Sequence, residues 1–136
     1  MIRRWSGVPQ DHDGIRKIQA LKTGALIEFS VAAGALLGRA SIAEHQGLDA
    51  YARAIGLAFQ VADDLLDAEG TSQQVGKATG KDASAGKATF VSLLGVSRAR
   101  EMLRSLGADA SKALTPFGSR AAALAQAADF VSNRRS

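Results

Sequence analysis

Cysteine is absent from the 136 residues, which excludes disulfides and thiolate chemistry. The two histidines, His12 and His45, stand far apart with no ligand-like spacing around them, so no zinc site is expected. Aromatic residues are only 5% of the chain, while alanine and glycine abound. Such a mix suits closely packed helices, because a sheet protein would draw more on Val, Ile, Thr and Tyr. The longest apolar run, Ala25 to Gly38, is interrupted by Glu28 and is too short for a membrane span. MIRRWSGVPQ has no apolar core behind its arginines and does not read as a signal peptide. The expectation is a soluble cytoplasmic protein, one compact domain with a hydrophobic core.

Charge of one sign is only mildly in excess, at +4, and much of it sits in Arg3-Arg4 and Arg134-Arg135. Basic ends are usually solvated tails, and no basic stripe with interleaved aromatics lies between them. Nucleic acid is therefore not an expected partner. A small anionic substrate is compatible with this balance.

What is present is helical periodicity. A first helix is predicted from Asp11 or Asp13, either of which can cap it, to about Leu37. Ile15, Ile18, Ala25, Phe29, Ala32 and Leu36 recur at three- and four-residue steps and predict its inward face. One step of that stripe is Lys22, and Thr23-Gly24 beside it are expected to loosen the helix. A second helix is predicted from about Leu48 to Ala68, with Ile55, Phe59, Ala62 and Leu66 on its core face. Arg53, Gly56, Gln60, Asp63 and Asp67 make a separate polar face, with Asp64 turned about 100° away. Glu69 to Lys87, rich in Gly, Ser and Lys, reads as a long loop. Helices at Phe90–Leu94, about Ser97–Leu114 and about Arg120–Asn133 follow, with a break at Thr115-Pro116-Phe117-Gly118.

The stretch FQVADDLLD, Phe59 to Asp67, carries the chemistry. Asp is a poor helix former, and the negative end of a helix repels carboxylates. Three of them at a predicted helix end therefore point to a cation from outside. Mg²⁺ is the natural one, since it takes one or two carboxylates and keeps waters and phosphates as its other ligands. The bland alternative is a solvated acidic face. Lys22 has its own alternative, a lysine whose stem covers apolar surface. Lys77, Lys81 and Lys87 each follow a glycine, a pairing that suits phosphate approach but equally serves solubility. The full Walker pattern is missing, which rejects a P-loop. Taken together, acids on one helix and lysines from another helix and a loop suit a diphosphate head, and apolar helices suit a hydrocarbon tail.

LKTGALIEFSVAAGALLG, YARAIGLAFQVADDLLDAEG and VGKATGKDASAGKATF, in that order, resemble the C-terminal half of a trans-isoprenyl diphosphate synthase of the polyprenyl synthetase family. The nearest subtype is bacterial farnesyl or geranyl diphosphate synthase. The resemblance runs from about residue 15 to 136, within a chain read as the C-terminal part of one domain, 1–136, with residues 1–10 a flexible lead. It implies an all-α helical bundle of the isoprenoid synthase type. It also implies condensation of an allylic diphosphate with isopentenyl diphosphate, giving a short-chain product of farnesyl or geranyl type. FQVADDLLD matches the second aspartate-rich motif, with Asp63, Asp64 and Asp67 as Mg²⁺ ligands. Lys22, Lys77 and Lys87 match lysines at the allylic diphosphate, and Thr23 and Gln60 match residues facing the allylic carbon. Two departures stand out. The family's first aspartate-rich motif has no counterpart here, so the chain alone is expected to be inactive. Where the family often has Tyr-Pro, this chain has Phe90-Val91. The expected partners are a second copy or the missing N-terminal half. A non-catalytic helical subunit acting through association is the alternative reading. A class I terpene cyclase is disfavoured, because its second metal motif has Ser or Thr and Glu where this chain offers Asp67 and Thr71.

Overall fold

The computed structural model describes the backbone of residues 12–75 and 89–134, and the side chains of 21–70 and 89–134. Its elements are α1 (His12–Leu37), α2 (Ile42–Val75), α3 (Phe90–Leu94), α4 (Val96–Ala113), a 3-10 segment (Thr115–Ala121) and α5 (Ala122–Ser132). No strand occurs among the described residues, and the expected all-α class holds. No helix among them is long and apolar enough to cross a membrane.

The turn between α1 and α2 is written in hydrogen bonds. Ala40 N donates to Ala35 O at 2.9 Å and Arg39 N to Leu36 O at 3.1 Å, the paired pattern that closes a helix through a left-handed residue. That residue is Arg39, at φ 54, where glycine is usually found. Ser41 then opens α2 with a capping box. Its Oγ accepts from Glu44 N at 3.2 Å, and Glu44 Oε2 accepts from Ser41 N at 2.8 Å. α2 thus begins six residues before the predicted Leu48. Its far end also passes the predicted Ala68 and runs to Val75, with Glu69 paired to Arg100 of α4. The predicted loop from Glu69 is therefore helical as far as Val75. Residues 76–87, the rest of that loop, lie outside the described residues, as do residue 88 and residues 1–11, the cap candidate Asp11 among them.

α2 is the central element, packed on one side by α1 and on others by α4 and α5. Tyr51, Ile55, Ala58, Val61, Ala62 and Leu65 of α2 are buried against Ala99, Leu103 and Ala110 of α4 and Ala128 and Val131 of α5. The abundance of alanine keeps these helices close. Tyr51 ties the layers together, donating its hydroxyl to Leu124 O at 2.8 Å. Burial holds its phenol above the ordinary tyrosine value. Gly95, at φ 81, makes the corner at which α3 ends and α4 begins.

α1 corrects the predicted stripe. Ala25, Phe29, Ala32 and Leu36 are exposed, Phe29 by 70% and Leu36 by 71%. The face against α2 is one step round the helix, at Gly24, Ile27, Val31 and Ala35. Both stripes have helical spacing, and the covered one sets Gly24 against Gly56 and Gln60 of α2. The predicted loosening at Thr23-Gly24 does not occur, since α1 is continuous through it.

Candidate functional site

α1 and α2 approach closely at Gly24. A methyl group added at Gly24 would lie 3.4 Å from Gln60 Nε2, and one added at Gly56 would lie 3.6 Å from Gly24 Cα. The short turn makes the helices antiparallel, so moving backward along α1 corresponds to moving forward along α2. Lys22 stands about 3 Å along from this contact and Asp63 about 4.5 Å along from Gln60, in the same direction, by the rise of 1.5 Å per residue. Lys22 is exposed, Thr23 and Gln60 are half-buried, and Asp63 and Asp67 are exposed one turn apart. By axial rise Lys22, Thr23, Gln60 and Asp63 fall at one level of the α1–α2 pair, but Lys22, two residues and about 200° from Gly24, lies on the exposed side of α1 away from α2.

The three aspartates do not act as one group. Asp64 is half-buried, and its Oδ2 accepts from Phe90 N at 2.9 Å, holding the start of α3 against α2. Among the described residues no three His, Cys, Asp or Glu side chains are placed to hold one ion. The helix-end argument also fails, because α2 continues eight residues beyond Asp67 to Val75. A pair of exposed carboxylates one turn apart nonetheless fits Mg²⁺, which needs one or two and takes its remaining ligands from waters and phosphates. Asp63 and Asp67 fit that donor set. Asp64 serves the fold.

Asp63 has a partner that sequence reasoning assigned to a solvated tail. Arg134 Nη1 lies 3.2 Å from Asp63 Oδ1, and the same guanidinium lies 5.7 Å from the centroid of the Phe59 ring, one turn earlier on α2. The signal was available, since Phe59 and Asp63 are four apart on a helix. Nothing in the spacing announced which arginine would reach them. Lys77, Lys81 and Lys87 lie outside the described residues.

Residues 8–115 match the model of the family described as Polyprenyl synthetase. A dimethylallyltranstransferase of Fischerella ambigua (strain UTEX 1903) is 45% identical over 117 residues, covering 86% of this chain and 34% of that protein. A chloroplastic geranylfarnesyl diphosphate synthase of Leucosceptrum canum is 41% identical over 135 residues, covering 96% of this chain and 37% of that one. The crystal structure of an FPP/GFPP synthase from Zymomonas mobilis superposes with a TM-score of 0.68 at 44% identity, covering 93% of this chain and 40% of that chain. The chain spans little more than a third of the length of these relatives.

Proposed function

Because the chain belongs to the polyprenyl synthetase family, we propose that its α1–α2 seam is the allylic-diphosphate wall of a prenyltransferase. The substrates of this reading are an allylic diphosphate and isopentenyl diphosphate, and the product is a short-chain isoprenyl diphosphate of farnesyl or geranyl type. The observation that supports it is the close approach of Gly24 to Gln60, which brings the stretch of α1 carrying Lys22 and Thr23 level with the Gln60–Asp63 turn of α2.

In this reading Lys22, with Lys77 and Lys87 from the segment after α2, supplies positive charge to the departing diphosphate. Asp63, with Asp67, would hold Mg²⁺, which when bound neutralises the negative charge that grows as the allylic C–O bond breaks. The Thr23 hydroxyl and the Gln60 amide oxygen are dipoles suited to the positive charge left on carbon. Isopentenyl diphosphate adds to that carbon, and the proton then lost goes to the released diphosphate. Its binding site belongs to the part of the full-length relatives that this chain does not span, so catalysis needs those residues as well. The setting we propose is cytoplasmic.

Fusing residues 1–136 behind the preceding segment of the Zymomonas mobilis synthase makes the kinetic test possible. With dimethylallyl and isopentenyl diphosphates, Asp63→Ala is expected to lower kcat on the order of 10²–10³, the usual loss for one preorganised electrostatic contact. Asp64→Ala is expected to act on stability instead, by about 1–2 kcal/mol, because it frees the Phe90 N–H. Near-normal kcat in Asp63→Ala would reduce the acids to a solvated helix face.

A further inference from the structure

We propose that Arg134 is a built-in counter-ion that competes with the divalent cation for Asp63. The proposal rests on reading Asp63 as a metal ligand. Four contacts carry it. Asn133 N and Nδ2 both donate to Asp129 O, at 2.9 and 3.0 Å, which fixes the chain as it leaves α5. Arg134 is thereby delivered over the Phe59 ring, whose face attracts a guanidinium. From there its Nη1 reaches Asp63 Oδ1 at 3.2 Å.

A carboxylate oxygen bonded to a guanidinium is less available to a cation, and a positive charge beside it repels the incoming ion. A cation that binds Asp63 must displace Arg134 or share the carboxylate with it. The pair is exposed, Asp63 by 52% and Arg134 by 36%, so the competition is modest rather than prohibitive. Arg134 thus keeps Asp63 neutralised and in position when no cation is bound, and it lowers the affinity for metal arriving alone. The same construction recurs at the other end of α2. There Arg120 lies 5.8 Å from the Phe117 ring centroid and bonds Glu44 Oε1 at 3.1 Å, at a carboxylate already committed to a helix cap.

The test is Mn²⁺ binding to this chain without diphosphate, followed by the electron paramagnetic resonance signal of the free ion, with helicity checked by circular dichroism. Arg134→Gln is expected to bind Mn²⁺ about two- to fivefold more tightly, the range an exposed ion pair supports. Arg134→Lys, which keeps the charge but not the planar fork, is expected to fall between the two. Arg53→Gln removes the same charge ten residues before Asp63, about 15 Å along α2, and is expected to change nothing. Asp63→Asn is expected to weaken binding. If Asp63→Asn weakens binding while Arg134→Gln matches the wild type, or if Arg53→Gln gives the same gain, the counter-ion role is overturned and the metal site stands. If Asp63→Asn binds as the wild type does, the metal reading fails and the counter-ion proposal goes with it.

Discussion

Ser132 and Gly107 show how tightly α4 and α5 are fitted at the scale of single atoms. Ser132 Oγ is buried without a hydrogen-bond partner, and a methyl group at Gly107 would overlap it and lie 3.1 Å from Ser132 Cβ. In an open helix Gly→Ala gains about 1 kcal/mol. Here overpacking, typically about 1–3 kcal/mol, is expected to win, so Gly107→Ala lowers the urea midpoint. Ser132→Ala removes the unpartnered hydroxyl and is expected to raise it. Combined, the two changes should cost less than Gly107→Ala alone, because the overlap with Oγ is gone. The site residues were legible at this scale only by type. Of the residues proposed for the site, Lys22, Gln60 and Asp63 stood out as charged and amide groups on largely apolar helices, whereas Thr23 entered through the family resemblance. The duty of Asp64 was not legible, because its partner is a backbone N–H 26 residues away. Arg134 was missed for the same reason, since sequence spacing says nothing about contacts across 71 residues.

At the scale of elements, α2 is longer than its apolar pattern. Its start is written in the sequence as Ser41-Ile42-Ala43-Glu44, a capping box that lies outside the apolar periodicity of the helix. Its true end was masked because Gly70, Ser72 and the glutamines read as loop residues, while the Glu69–Arg100 pair ties that end to α4. Stripe assignment on α1 failed differently. Two apolar faces were available, and only the position of α2 decides which one is covered. The cap has a pH signature. Bonds from the Ser41 backbone N–H, the Arg120 guanidinium and the Ser41 side chain hold the Glu44 carboxyl below its ordinary value of 4.5. A depressed carboxyl contributes stability that is fully present above its unfolded value and is lost as pH falls through the lowered folded one. Glu44→Gln should therefore be less stable than the wild type near neutral pH, and the gap should close as pH falls below 4.5. Urea midpoints measured across that window check this; a gap that stays constant would mean the carboxylate charge plays no part in the cap.

For the whole molecule, α1 packs only on α2 among the described elements, and its other face bears exposed Leu21, Leu26, Phe29, Leu36 and Leu37. Contiguous apolar faces of this kind mark interfaces. We propose that a second copy of the chain covers this one when the chain is alone, and that the remaining helices of a full-length synthase do so otherwise. Sedimentation of the isolated chain should give a dimer mass, and Phe29→Glu with Leu36→Glu should return it to a monomer. A wild-type monomer at micromolar concentration would exclude the self-association.

We propose that the α1–α2 helix pair binds a diphosphate through a divalent cation held at Asp63. Calorimetric titration of the chain with inorganic pyrophosphate, with and without Mg²⁺, tests it most directly. Binding is expected to require Mg²⁺ and to weaken by roughly tenfold or more in both Lys22→Ala and Asp63→Asn, the usual loss for a bond between charged groups. Binding that is indifferent to Mg²⁺, or equal in the wild type and both variants, would contradict it.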